Sequence, residues 1–243
     1  MYDYANILFT GKCNLDCYEC IGKSPQLQGL KANTATFPLR NIDALIGMVN
    51  RHSIKDLAFT GTNVDPQLYR YEKEFIVYVR ERLTFPASLS LHTNGLLALR
   101  KLDEFNSYDK ASVSFPSYNP GTYAAVTGRR KQPDIQAILK AASIPVKLSM
   151  LVTPHNAGEI SDYISQSAEL GVKRIVIRKL KGREHEFPLE SLPPFAGRQP
   201  ASEVFGWQVH HIDGIEVTIC SFDNSTAKGL FLFSDGRLEE RLV

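Results

Sequence analysis

Cysteine is scarce in this chain, with four in 243 residues. Three of them, Cys13, Cys17 and Cys20, fall within eight residues. Pairing any two of these would leave a thiol over, so the cluster reads as a metal site before it reads as disulfides. Long apolar runs are missing as well. No stretch approaches the roughly 18 residues needed to span a bilayer, which argues against a membrane protein. The opening MYDYANILF has no basic segment leading into a long apolar one, so no export signal is expected and the cytoplasm is the expected compartment. An excess of one charge is also lacking. Lys and Arg number 28 against 26 Asp and Glu, leaving +2, too little to argue for nucleic acid or a membrane surface. There is no internal repeat and no low-complexity tract.

What is present suits a packed α/β domain. Short β-rich runs at 5–9, 56–60, 88–92, 111–115, 146–152 and 174–179 end in polar or glycine residues. Between them lie helical patterns at 39–52, 66–83, 133–142 and 157–170. The second opens on Pro66 at a plausible first helical position, and Gly171 follows the last as a C-cap. Parallel strands need crossover connections. Six such β-α units fall short of the eight of a closed barrel, so the expected fold is a partial (β/α)6 TIM-type barrel over 1–182. Residues 183–203 are proline-rich and without period, a linker or loop. Residues 204–243 carry hairpin signals at Asp213-Gly214 and Asp235-Gly236. They predict a small C-terminal β meander covering the open side or bottom of the barrel.

The cysteines have the spacing C-x3-C-x2-C, directly after the first predicted strand. Iron–sulfur clusters normally take four cysteines, so three leave one iron open. On this motif and its position the chain resembles the radical S-adenosylmethionine (SAM) enzymes. That resemblance implies one [4Fe–4S] cluster on Cys13, Cys17 and Cys20, with SAM chelating the open iron. It also implies reductive cleavage of SAM to a 5′-deoxyadenosyl radical that abstracts hydrogen from substrate, and a reducing electron donor such as flavodoxin or ferredoxin. The family's aromatic residue before the third cysteine is displaced here: Glu19 stands there and Tyr18 one position earlier.

Further matches run around the barrel. Gly61, Thr62 and Asn63 lie after strand two, where the family's backbone meets the SAM amino group. Asp65 before Pro66 also reads as a helix N-cap. Thr93 and Asn94 close strand three. The stretches 112–128, 145–160 and 169–178 resemble GTP 3′,8-cyclases, the radical SAM family of molybdenum-cofactor synthesis. By that likeness Ser114 and Ser149 face SAM, while Lys147 and Arg178 offer charge to its carboxylate or to an anionic substrate. Arg129, Arg130 and Lys131, with Lys179, Lys181 and Arg183, form two basic groups suited to a phosphate or carboxylate, or to water alone. His210 and His211 alternate on one strand, so at most one points inward. Cys220 alone lies where those cyclases keep three cysteines of a second cluster, so a single cluster is expected.

The leading expectation is therefore a radical SAM enzyme acting on a small anionic, nucleotide-like molecule. The alternatives are an activase or maturase acting on a polypeptide, and a non-catalytic zinc or iron–sulfur module.

Overall fold

The computed structural model describes residues 2–242. In chain order its elements are β1 (Tyr4–Phe9), α1 (Ile42–His52), β2 (Asp56–Gly61), α2 (Glu72–Arg82), β3 (Ser88–Thr93), α3 (Leu102–Phe105), β4 (Lys110–Ser114), α4 (Pro120–Thr127), α5 (Ile135–Ala141), β5 (Val146–Leu151), α6 (Ile160–Glu169) and β6 (Arg174–Arg178). They are followed by β7 (Ser202–Val204), β8 (Trp207–Ile212), β9 (Ile215–Cys220), β10 (Gly229–Leu232) and β11 (Leu238–Glu239). All eleven strands join one sheet in the order β11-β10-β1-β2-β3-β4-β5-β6-β9-β8-β7.

The six expected strands pair in sequence order and in parallel. The two C-terminal hairpins also form, but they do not pack on each other as a meander. One joins each edge of the barrel sheet: β10 lies parallel to β1, and β9 lies parallel to β6. Eight consecutive strands thus run parallel, two more than the β-α count predicts. A period-2 pattern tells which face a residue occupies, not which strand will be its neighbour, and that is why the extra two escaped. The Asp213-Gly214 turn has both residues at positive φ (50° and 77°), as expected of its type. Phe205 (φ 56°) and Gly206 form a second turn of this kind between β7 and β8, which a phenylalanine does not announce.

The strand face carrying Ile7, Phe9, Leu57, Phe59, Leu89 and Leu91 packs on Leu45 and Val49 of α1 and on Phe75 and Val79 of α2. A second core continues it through Val113, Leu148, Met150, Ile175, Ile177, Val217 and Ile219. The opposite, concave face carries most of the polar strand residues, with Leu8, Ala58, Leu151 and Val176 among them. Residues 183–203 are anchored rather than loose, because Leu189 and Phe195 are buried in that second core. The expected helix at 66–83 is split into a single 3-10 turn, Pro66–Leu68, and α2. Between them Tyr69 takes an extended conformation, buries its ring and donates its hydroxyl to the Thr36 carbonyl at 2.7 Å.

Candidate active site

The three cysteines lie on the loop that leaves the C-terminal end of β1, all partly exposed and unpaired. What holds that loop is α4, an element the strand-and-helix pattern did not reveal. Asn119 caps it, accepting from the amides of Gly121 and Thr122, and Pro120 opens its first turn. Its last carbonyls are free to accept from outside. Asp16 N donates to Thr127 O at 2.9 Å, and Tyr18 N to Val126 O at 2.8 Å. Gly128 then ends the helix at φ 69°, and a β-carbon there would stand 2.6 Å from the Asp16 carbonyl. Both the conformation and the approach require glycine. Gly128→Ala is expected to destabilise the protein by about 1–2 kcal/mol and to lower iron retention after gel filtration. Thermal melts and iron analysis would check this, and unchanged iron would separate the helix end from the loop.

The other side of the loop is braced by the ends of β2 and β3. Asp65 is buried and accepts from Gln67 N at 2.9 Å, Thr93 Oγ1 at 2.8 Å and Asn94 N at 2.6 Å. It is the expected cap, and also the hub of the neighbouring strand end. Asn94 Nδ2 in turn donates to Asn14 Oδ1 at 2.7 Å, beside Cys13. Thr62 Oγ1 donates to the Phe9 carbonyl at 3.0 Å. Asn63 Oδ1 accepts from Gly11 N at 3.0 Å, and the Cys20 thiol points at the Thr62 carbonyl at 3.5 Å. A β-carbon on Gly61 would collide with the Val64 carbonyl. Thr62, Asn63, Thr93 and Asn94 thus spend their side chains on protein and brace the loop. Asp65→Ala would strand three donors at once. It is expected to cost about 3–5 kcal/mol, a melting temperature lower by roughly 10 °C for a chain of this size. A fall of only a degree or two by calorimetry would remove Asp65 as a hub.

Beneath the loop lies the concave face. Strand register places Asn6, Thr60, His92, Ser112, Ser114, Lys147, Ser149, Arg178 and Cys220 on it. Ser114 is directly paired with Ser149, and Arg178 with Cys220. Burial, then the charges of Arg178, Lys147 and Lys110, holds the His92 imidazole well below its usual range. Burial, then the charges of Arg178, Arg174 and Lys110, brings Lys147 down to about 8. The face's two carboxylates, Asp56 and Glu216, sit at the far rim and pair with Lys110 and Arg174. Neither Lys147 nor Arg178 enters an ion pair with a described residue, and Arg178 Nε is buried without any partner. His92 and Cys220 were missed as members of this group. Strand parity, carried across from Ser90 and Thr218, would have found them.

The remaining expected residues are dispersed. Tyr18 is 50% exposed and lies edge-on to His155 at 5.3 Å. Lys179 faces away from Arg178 and is held by Glu190 at 2.7 Å, so it is no free anion ligand. Arg183 pairs with Glu186 and, at 2.8 Å, with Glu19, tying the segment after β6 to the cysteine loop. Arg129 and Lys131, exposed, line a groove of about 380 Å³ with Arg100, Asn14, Leu68, Leu96 and Leu97, and Arg130 is exposed beside them. His210 is buried against Phe195 and His211 is exposed.

The donor set fits an iron–sulfur cluster. Burial, then the neighbouring Cys20 and Cys13, pushes the Cys17 thiol up to about 12. Three gathered thiolates repel one another unless a cation is among them. Among the described residues no three His, Cys, Asp or Glu side chains converge as ligands of one ion.

No family model matches the chain. It is similar to a probable GTP 3′,8-cyclase of Methanococcus aeolicus, 23% identical over 172 residues, which cover 68% of this chain and 56% of that protein. A GTP 3′,8-cyclase of Mycolicibacterium smegmatis is 28% identical over 154 residues, 61% of this chain and 42% of the other. The chain thus spans about half the length of these relatives. Among solved structures, Streptococcus suis SuiB bound to S-adenosylmethionine superposes with a TM-score of 0.67 at 10% identity, covering all of this chain and 60% of SuiB. The anSMEcpe protein with bound AdoMet superposes with a TM-score of 0.60 at 15% identity, covering 98% and 74%. These structures share the half-barrel. The sequence relatives, at 23% and 28% identity, support a place in the radical SAM superfamily, and the solved structures agree in fold.

Proposed function

We propose that this chain is an enzyme that holds one [4Fe–4S] cluster on Cys13, Cys17 and Cys20 and binds SAM on the concave face, acting on a small anionic, nucleotide-like molecule. The observation that carries this reading is the pair of cations Lys147 and Arg178, without carboxylate partners, beneath a loop of three thiols. When bound, the cluster and SAM supply one-electron reductive cleavage of SAM; the cofactors carry that chemistry. The chain's own residues position and shield. The backbone at Gly61 and the hydroxyls of Ser114 and Ser149 orient SAM. Lys147 and Arg178 neutralise a carboxylate or phosphate in a site where water competes poorly. His92, kept neutral by burial and the surrounding cations, can hydrogen-bond a ligand without adding charge. Arg129 and Arg130 are outer contacts at the rim, and a small reducing protein such as flavodoxin or ferredoxin provides the electron.

The name of the relatives makes a nucleoside triphosphate the first substrate to try. A polypeptide is the second reading, since structures of this fold include SuiB bound to its precursor peptide; the cationic face favours the small anion. The test is anaerobic cluster reconstitution, then dithionite and SAM with each candidate, and chromatography for 5′-deoxyadenosine. Product dependent on a nucleotide supports the reading. Zinc-loaded protein, or iron-loaded protein that leaves SAM intact with every candidate, would sink it.

A further inference from the structure

Large apolar side chains exposed singly need no explanation, but a gathered group does. Of the eight exposed among the described residues, Val204, Phe205 and Phe222 stand together at one end of the β7-β8-β9 ribbon, beside the half-buried Trp207. Phe205 is unfavourable in two ways. Its ring is exposed, and its backbone takes φ 56° at a turn position where asparagine or glycine is the unstrained choice. The turn is nevertheless fixed in place. Thr226 N donates to the Phe205 carbonyl at 3.0 Å, and a β-carbon on Gly206 would stand 2.4 Å from the Asn224 carbonyl. Trp207 is fixed too, since its indole N–H donates to the Ser221 carbonyl at 2.8 Å. The rings of Phe205 and Trp207 meet at 78° with centroids 6.1 Å apart, as the two walls of a corner.

Register places this corner on the concave face. Val204 pairs with Trp207. Trp207 lies one position beyond the Gln208–Ile219 pair and so stands across from Cys220, which pairs with Arg178. Directly paired residues share a face of the sheet. Arg178, Cys220, Trp207 and Val204 therefore form one row across the concave side. The row lies at the C-terminal ends of β6 and β9, the same end at which the cysteine loop leaves β1. Neighbouring strands are about 5 Å apart, which puts the Trp207 backbone roughly two spacings from that of Arg178. Arg178 enters no ion pair with a described residue, and its buried Nε makes no hydrogen bond. An aromatic corner beside an unneutralised guanidinium suits a ligand that joins a planar ring to an anionic group. We propose that Phe205 and Trp207, with Phe222 beside them, stack the base of a nucleotide whose phosphate is held by Arg178. The inference rests on the proposed small anionic substrate and names the part of the chain that recognises its ring. Every base has a face to stack, so the corner requires a base without choosing among bases. No bond forms or breaks there, and these are specificity residues.

Trp207 is the chain's single tryptophan, so its fluorescence reports on the corner directly. Anaerobically reconstituted protein would be titrated with guanosine monophosphate (GMP) and with ribose 5-phosphate, which keeps the phosphate and lacks the base. Calorimetry gives the affinities. The parent is expected to bind GMP about 10- to 100-fold more tightly than ribose 5-phosphate, as stacking of one base implies, and only GMP is expected to change the tryptophan emission. Phe205→Asn is expected to weaken GMP about tenfold, to leave ribose 5-phosphate unchanged, and to raise the melting temperature, because asparagine relieves the turn. That combination separates recognition from packing, since removing a ring kept for the fold would lower the melting temperature. Should Phe205→Asn fail to fold, Phe222→Ser, at an exposed position outside the turn, is expected to show the same selective loss of GMP, and unchanged GMP affinity there overturns the inference. Equal affinity of the parent for the two ligands also overturns it, as does a Phe205→Asn protein that melts lower and binds GMP like the parent. A parent that ignores both ligands and forms a dimer that Phe205→Asn dissolves would overturn it too, by making the patch a subunit interface. The two readings fail separately. Base-dependent binding without SAM cleavage keeps the corner and removes the proposed function. Nucleotide-dependent release of 5′-deoxyadenosine that is equal in parent and Phe205→Asn at sub-saturating nucleotide removes only the corner.

Discussion

Cys17→Ala is expected to give a folded protein that holds no stable cluster and cleaves no SAM. The fold should survive because the loop is held by backbone bonds that do not involve the thiol, from Asp16 and Tyr18 to the last turn of α4. Removing the thiol also relieves a crowded site, since Cys17 is pushed up by burial and by its two neighbours. Metal binding is different. A three-thiol site already leaves one iron without a protein ligand, and loss of a second ligand leaves only two thiols to compete with solvent and reductant. Iron per chain after reconstitution is expected to fall to the level of non-specific binding, and 5′-deoxyadenosine to fall below detection. Cys220→Ala is the control. That thiol lies on β9 opposite Arg178, away from the loop, and its removal should leave the iron content intact. Full iron in Cys17→Ala, or equal loss in Cys220→Ala, would refute the three-cysteine assignment.

The contrast between these two thiols shows what a sequence can reveal. Cys13, Cys17 and Cys20 are legible because their ligands come from one short segment, so spacing alone carries the geometry. Cys220 reads correctly as a buried strand thiol, yet its neighbour Arg178 is 42 residues away and is met only when β6 and β9 pair. The same limit explains the strand count. The alternation in β9 and the turn signals beside β9 and β10 mark them as strands with hairpin partners. Which edge each hairpin joins depends on tertiary contacts that no local pattern encodes. Asp65 shows the intermediate case. Its cap on Gln67 is local and readable, while its bonds to Thr93 and Asn94 arise only because β2 and β3 run side by side. The link from Glu19 to Arg183 joins residues 164 positions apart. It gives the residue that replaces the family's aromatic a structural partner that spacing could not suggest.

Lys147→Met is expected to weaken anion binding to the concave face and to abolish its dependence on pH. Lys147 faces Lys110 of β4, His92 of β3, Arg174 and Arg178 of β6, and Cys220 of β9, while the carboxylates Asp56 and Glu216 are paired at the far rim. Burial first, and then these cations, lowers its pKa from 10.5 to about 8. The sign of the consequence follows from proton counting. Between about pH 8 and 10.5 the unfolded chain binds more protons at this lysine than the folded one, so folding stability rises with pH across that window. Below it both states are charged, and holding the ammonium in the barrel costs the fold on the order of 3 kcal/mol. A bound anion offsets that cost, so binding draws a proton onto Lys147. Affinity is then expected to be level below pH 8 and to fall about tenfold per unit above it. Sulfate suits the measurement, because its own charge is constant through this range. The readout is the rise in melting temperature with sulfate against chloride at matched ionic strength, which converts to affinity by mass action. Lys147→Met should bind sulfate about 10- to 100-fold more weakly at pH 7, as loss of one charge-assisted hydrogen bond implies, and the remaining affinity, carried by Arg178, should be flat to pH 10. A wild-type profile without a break near pH 8, or a variant that keeps the break, would show that Lys147 does not meet the anion and would shift the binding role to the exposed cations of the rim.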